Sequence, residues 1–137
     1  MPHITVEYSA NIRGKIEPQS LVDRVHEAAL RTGVFPLGGT RTRAVERSCY
    51  RIADGHSDNA FVHVVLRIRH GRDLETRRRV AEEVFGEVCK FLEPLFQSSP
   101  LGISLEVQEI DPAVSLKKNN LHEHVRARQG LKPEKAP

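Results

Sequence analysis

Tryptophan is absent from this sequence, methionine occurs once, cysteine twice, and the remaining aromatics are five Phe and two Tyr. Each shortage closes a route. Cys49 and Cys89 lie far apart and follow no ligand spacing, so reduced structural thiols in a cytosolic protein are expected rather than a bridge or a thiolate metal centre. No His, Cys, Asp and Glu set has metal spacing, and nothing beyond the presence of the residue types favours Ser/His/Asp chemistry. Aromatics are too few, and too little interleaved with basic residues, to build a stacking platform for nucleic acid. No charged-then-apolar leader opens the chain, and no apolar run approaches the roughly 18 residues of a membrane span. A cytoplasmic protein without membrane or nucleic-acid partners is therefore expected.

What is present is one domain's length of chain, 137 residues, with a formal charge of +3 in which arginine dominates the basic residues. Arginine's planar fork suits carboxylate and phosphate alike, so the charge points to acidic ligands without choosing among them.

The opening residues, Met1-Pro2-His3-Ile4-Thr5-Val6-Glu7-Tyr8, alternate apolar and polar in the manner of a half-buried strand. Pro2 precedes that strand. Removal of Met1 would leave it a free secondary amine held at the end of a rigid element, a candidate base. Residues 9–19 read as a loop, and Ser20 is the expected N-cap of a helix in which Leu21, Val25, Ala28 and Ala29 recur at helical spacing until Gly33. Residues 40–48 alternate again, with Arg41, Arg43 and Val45 on one face; Tyr50 and Ile52 would extend them into a hairpin arm.

Residues 53–59 are turn-rich, and residues 61–68 form the strongest strand signal in the chain, a β-branched run expected at the centre of a sheet. Asp73 is the expected N-cap of a helix over residues 74–92, with Val80, Val84 and Val88 as its buried stripe and Arg77, Arg78 and Arg79 on its solvated face. Pro94 is expected to end the helical stretch, and Ile103, Leu105 and Val107 mark a fourth strand. Strand, helix, strand thus occurs twice, over residues 2–48 and 61–110, at an offset of about 60 residues.

The expected fold class is α+β: a tandem βαβ repeat giving a four-stranded sheet with two helices on one face. The opposite face would need cover, which a symmetric oligomer supplies. Residues 1–125 are expected to form the domain, the segment after Asp111 packing on a neighbouring surface or subunit, with residues 126–137 a disordered tail.

The N-terminal proline on a first strand, the doubled βαβ order, the Gly71-Arg72 step from strand to helix and the strand arginines Arg41 and Arg43 together resemble the tautomerase superfamily. Within it the Met-Pro-His opening, Thr32-Gly33-Val34-Phe35 and Phe61-Val62-His63-Val64 are similar to the 5-carboxymethyl-2-hydroxymuconate isomerase family, over residues 2 to about 120. The resemblance implies a homotrimeric isomerase of homoprotocatechuate degradation that needs neither metal nor cofactor and takes a small di- or tricarboxylate enol.

It implies Pro2 as catalytic base, Arg72 as a carboxylate-binding residue, and Arg43, or with less support Arg41, as the strand arginine of the site. The smallest relatives have one βαβ unit per chain and a proline on each. Here the second unit begins inside the chain, so a trimer of six units would carry three bases. Pro2 would take the 2-hydroxyl proton of a dienol and return one to carbon 5, with the arginines clamping carboxylates and stabilising the developing 2-oxo charge. The competing readings are a tautomerase of another enol or 2-oxo acid and, from another class, a basic oligomeric nucleic-acid-binding or structural protein using Arg67, Arg69, Arg72, Arg77 to Arg79, Lys117 and Lys118. His3 and His63 read as satisfied strand histidines, and Tyr8 and Tyr50 as core or pocket residues.

Overall fold

The computed structural model describes residues 1–130. Four strands, β1 (His3–Ser9), β2 (Arg41–Arg47), β3 (Ala60–Arg69) and β4 (Leu101–Ile110), form one sheet in the order β2-β1-β3-β4. Each outer strand runs parallel to the central strand of its own βαβ unit, and the two central strands pair antiparallel with Val6 opposite Val64. The tandem repeat is therefore a physical one, two units joined at their first strands.

Period-two burial decides which face is covered. Ile4, Val6 and Tyr8 of β1, and Ala60, Val62, Val64, Leu66 and Ile68 of β3, are buried against α1 (Pro18–Arg31) and α2 (Leu74–Ser98). The helices supply Leu21, Val25, Ala28 and Ala29 from α1 and Val80, Val84, Val88, Leu92 and Leu95 from α2. Each fully buried Val, Leu or Ile in this layer contributes roughly 1.5–3 kcal/mol of transfer free energy. The opposite face is polar: Glu7 receives Arg47 at 3.0 Å, and His63 sits between Ser104 Oγ at 2.6 Å and Glu106 Oε1 at 3.2 Å. His63 is thus half-buried with both ring nitrogens partnered.

Several boundaries differ from the sequence expectation. Helix α1 begins at Pro18, whose fixed φ and missing N–H suit a first turn, and Glu17 rather than Ser20 caps it, accepting from Gln19 N at 3.2 Å. Gly33 does end it, at φ 74, a conformation that favours glycine. Asp73 caps α2 through Thr76 N at 2.7 Å.

Pro94 does not stop α2, which continues to Ser98. The carbonyl left without a donor belongs to exposed Lys90 and can be hydrated, while buried Leu95 anchors the last turn. Strand β4 starts at Leu101, earlier than the alternation suggested, and Tyr50 and Ile52 lie in a loop outside any strand. Cys49 and Cys89 are free thiols, and burial pushes Cys89 above the ordinary thiol range. No helix among the described residues is long and apolar enough to cross a membrane.

After β4 the chain makes a short 3-10 turn at Pro112–Val114, runs without regular structure, and forms α3 (Leu121–Arg128). Helix α3 crosses the expected boundary at residue 126 and seats on the Leu37–Gly39 turn of its own chain. The seat is close: a Cβ on Gly38 would stand 2.6 Å from His122 Nδ1 and 2.8 Å from its Cα. The remainder of the expected disordered tail, residues 131–137, lies outside the described residues.

Candidate active site

Pro2 enters the site because β1 begins one residue later. It is buried, and its carbonyl accepts from Arg41 N at 3.2 Å, which continues the parallel ladder to the very start of the chain. Met1 projects beyond it. The Met1 sulfur receives Arg41 Nη1 at 2.9 Å and Asn119 Nδ2 at 3.2 Å, so the first residue is held by a strand arginine and by the returning C-terminal segment.

Arg72 arrives from the other unit. Gly71, at φ 127, makes the turn out of β3 that an L side chain would resist, and sends Arg72 back toward the start of the chain. Its guanidinium stands 5.3 Å over the Phe35 ring and donates to Val34 O at 3.3 Å and Arg69 O at 3.4 Å. Two backbone carbonyls and an aromatic face thus aim a half-buried cation.

A cavity of about 180 Å³ joins these groups, lined by Met1, Pro2, Phe35, Arg69, Arg72 and Lys117 among others. A second, of about 280 Å³, shares Met1, Arg69 and Lys117 with the first and adds His3, Ile110, Pro112, Ser115 and Leu116. Met1 therefore borders both spaces. Among the described residues, no carboxylate lines either one. Several arginines elsewhere are paired, Arg13 with Glu46, Arg24 with Glu87, Arg47 with Glu7, Arg77 with Glu109 and Arg79 with Glu83. Among the described residues Arg41, Arg69, Arg72 and Lys117 have no such partner. This concentration holds the Met1 ammonium below the ordinary α-amine value, through burial first and then Lys117, Arg72, Arg69 and Arg41. Burial, Arg43 and Arg41 likewise hold the His3 imidazole below its usual value.

The structure brings Pro2 and Arg72 to one cavity, while Arg41 meets Pro2 through its backbone N–H and reaches Met1 Sδ and Gly39 O with its guanidinium, lining neither cavity. Arg43 stands one step further along the open sheet face, exposed, with Nη1 3.2 Å from His3 Nδ1. Register explains the order: Arg41 pairs with His3, beside Pro2, whereas Arg43 pairs with Thr5. Arg77 and Arg79, read as a solvated face, are tied to Glu109 and Glu83. Sequence reasoning did not assign Arg69, Lys117 or His122 to the site. Arg69 was legible as the end of an Arg67/Arg69 alternation on β3, but the return of Lys117 and His122 from the tail left no local signal.

A family model for 5-carboxymethyl-2-hydroxymuconate isomerase matches residues 2–125. The chain is 38% identical over 122 residues to the 5-carboxymethyl-2-hydroxymuconate Delta-isomerase of Escherichia coli, covering 89% of this chain and 97% of that one. The crystal structure of a 5-carboxymethyl-2-hydroxymuconate isomerase from Deinococcus radiodurans R1 superposes with a TM-score of 0.84 at 33% identity, over 91% of this chain and 94% of that one. More distantly, a fused 4-OT solved as a symmetric trimer has the same fold, with a TM-score of 0.63 at 16% identity over 86% and 94% of the two chains. Shared sequence across nearly the whole length, on a tautomerase-like sheet that begins at a buried proline, makes this chain a member of the 5-carboxymethyl-2-hydroxymuconate isomerase family.

Proposed function

We propose that the protein, once Met1 is removed, is a cofactor-independent isomerase that converts 5-carboxymethyl-2-hydroxymuconate to its 2-oxo-3-ene isomer, with Pro2 as the base. The observation that carries this reading is that Arg69, Arg72 and Lys117, which have no carboxylate partner among the described residues, line the cavity at Pro2. Such a site favours an anion and disfavours the protonated amine.

In the reaction the Pro2 nitrogen accepts the 2-hydroxyl proton and the oxygen electrons form the 2-oxo group. The C2–C3 double bond moves to C3–C4, and the displaced electrons at carbon 5 take a proton back from the prolinium. Burial and the same cations that lower the Met1 ammonium act on the Pro2 amine, keeping it poised to give and receive. Arg72 and Arg41 hold carboxylates by charge-assisted hydrogen bonds and offset the charge that develops on the 2-oxo oxygen. The reaction belongs to homoprotocatechuate degradation, and we assign it to the cytoplasm.

A homotrimer is part of the proposal. Among the described residues nothing layers over the sheet face away from the helices, Val114 and Leu116 are 82% and 96% exposed, and the more distant fused 4-OT was solved as a symmetric trimer.

The test is the ultraviolet absorbance change on 5-carboxymethyl-2-hydroxymuconate, using protein whose loss of Met1 is confirmed by intact mass. Turnover by the Met1-free protein is expected; no turnover overturns the assignment.

A further inference from the structure

We propose that Lys117 selects for a third carboxylate on the substrate, by pairing with the carboxylate of the 5-carboxymethyl arm in the second cavity, an assignment that rests on the isomerase reading above. That substrate carries a carboxylate at each end of its diene and a third on the arm. Arg72 and Arg41 stand beside Pro2 and account for the reacting end. The second cavity, of about 280 Å³, is not lined by Arg72; its cations are Arg69 and Lys117, and Ile110 and Pro112 give it apolar walls. A methylene carrying a carboxylate needs that combination, an apolar wall for the CH2 and a cation without another partner for the oxygens.

Lys117 lies on an irregular segment, but the segment is pinned. Asn119, two residues on, donates to Gly38 O at 3.3 Å and to Met1 Sδ at 3.2 Å, while its Oδ1 accepts from Leu121 N at 2.9 Å at the start of α3. The seating of His122 against Gly38 fixes the other end of the strap. Among the described residues no carboxylate pairs with Lys117, so its ammonium is available to a ligand. Loss of Met1 removes one of the Asn119 contacts and opens the boundary between the two cavities, and the Gly38 contact and α3 still hold the strap.

The experiment compares Met1-free wild type with Lys117→Gln on two substrates, 5-carboxymethyl-2-hydroxymuconate and 2-hydroxymuconate, which lacks the arm. Because Lys117 also bears on the amine, both are assayed on the alkaline plateau of the rate profile. The ratio of kcat/KM for the armed over the armless substrate is expected to fall about tenfold, mainly through KM, as one charge-assisted contact is lost. Lys117→Arg should restore it. An unchanged ratio overturns the proposal and leaves the isomerase reading standing.

Calorimetry with tricarballylate against glutarate gives a readout independent of turnover. A fall of about tenfold in the preference for the tricarboxylate in Lys117→Gln supports the assignment even if neither enol is turned over, in which case only the isomerase reading fails. Equal weakening of both acids overturns it.

Discussion

The two βαβ units share an order and a covered face but not a task. The second is the larger: β3 and β4 are 10 residues each and α2 is 25, against 7, 7 and 14 for β1, β2 and α1. Alternate residues of β3 are buried without interruption from Ala60 to Ile68. In the proposed mechanism the first unit supplies the base, and the heads of the two central strands differ in a way that fits this. The nitrogen of Ala60 is a peptide N–H committed to Pro100 O at 3.1 Å, whereas the nitrogen at the head of β1 belongs to the first residues of the chain. A base requires a lone pair that the ladder has not claimed, and only one of two similar strand starts offers it. The second unit contributes Arg69, the Gly71-Arg72 turn and a core that holds the first in place.

The contrast can be broken most severely by keeping a residue ahead of Pro2. Converting the amine back to an amide should lower kcat by about 10²- to 10⁴-fold, the range of general acid–base catalysis. Circular dichroism should be unchanged. Near-normal rates in protein shown by mass to retain Met1 would remove the amine from the mechanism.

Arg72→Ala comes next. The loss of a preorganised cation at the developing oxyanion should cost about 10²- to 10³-fold in kcat/KM. Arg41→Ala should cost more than Arg43→Ala, whose guanidinium meets His3 instead of Met1. Steady-state kinetics of the three variants decide, and a larger loss for Arg43→Ala would reverse the assignment of the strand arginine.

Leu66→Ala tests the other side of the comparison. It empties a fully buried site in the second unit and should lower unfolding stability by about 3 kcal/mol, within the range for buried leucines. The rate per folded molecule should be kept. Denaturant titration with matched activity reads both, and a lost rate with intact stability would show that the second unit does more than support.

The smallest effect is on pH. A base works unprotonated, so kcat/KM falls as pH drops through the amine's pKa. The burial and cations that hold the Met1 ammonium below its ordinary value are expected to act in the same direction on the Pro2 amine and push the acid limb to lower pH. Lys117→Gln should move the limb back to higher pH; a limb that stays put would mean Lys117 is screened from Pro2.

Much of this was legible in the sequence wherever structure is local or periodic. The alternation of β1 and β3, the valine stripe of α2, Asp73 and Gly33 at helix ends and the Gly71-Arg72 turn all follow from spacing and backbone preference. Pro94 misled because its cost depends on whether the freed carbonyl meets solvent, which only the fold decides. Arg41 and Arg43 are equivalent by alternation and are separated by register with β1. Lys117 and His122 were hidden because the tail's return to Gly38 is a contact between distant residues with no periodic trace.

The thioether of Met1, held by Arg41 and Asn119 between the two cavities, has a consequence for anyone measuring this protein. Under the proposed mechanism, a preparation in which aminopeptidase has acted on only part of the chains mixes molecules with and without the free Pro2 amine. Its specific activity would then count the clipped fraction, and an N-terminal purification tag would leave none.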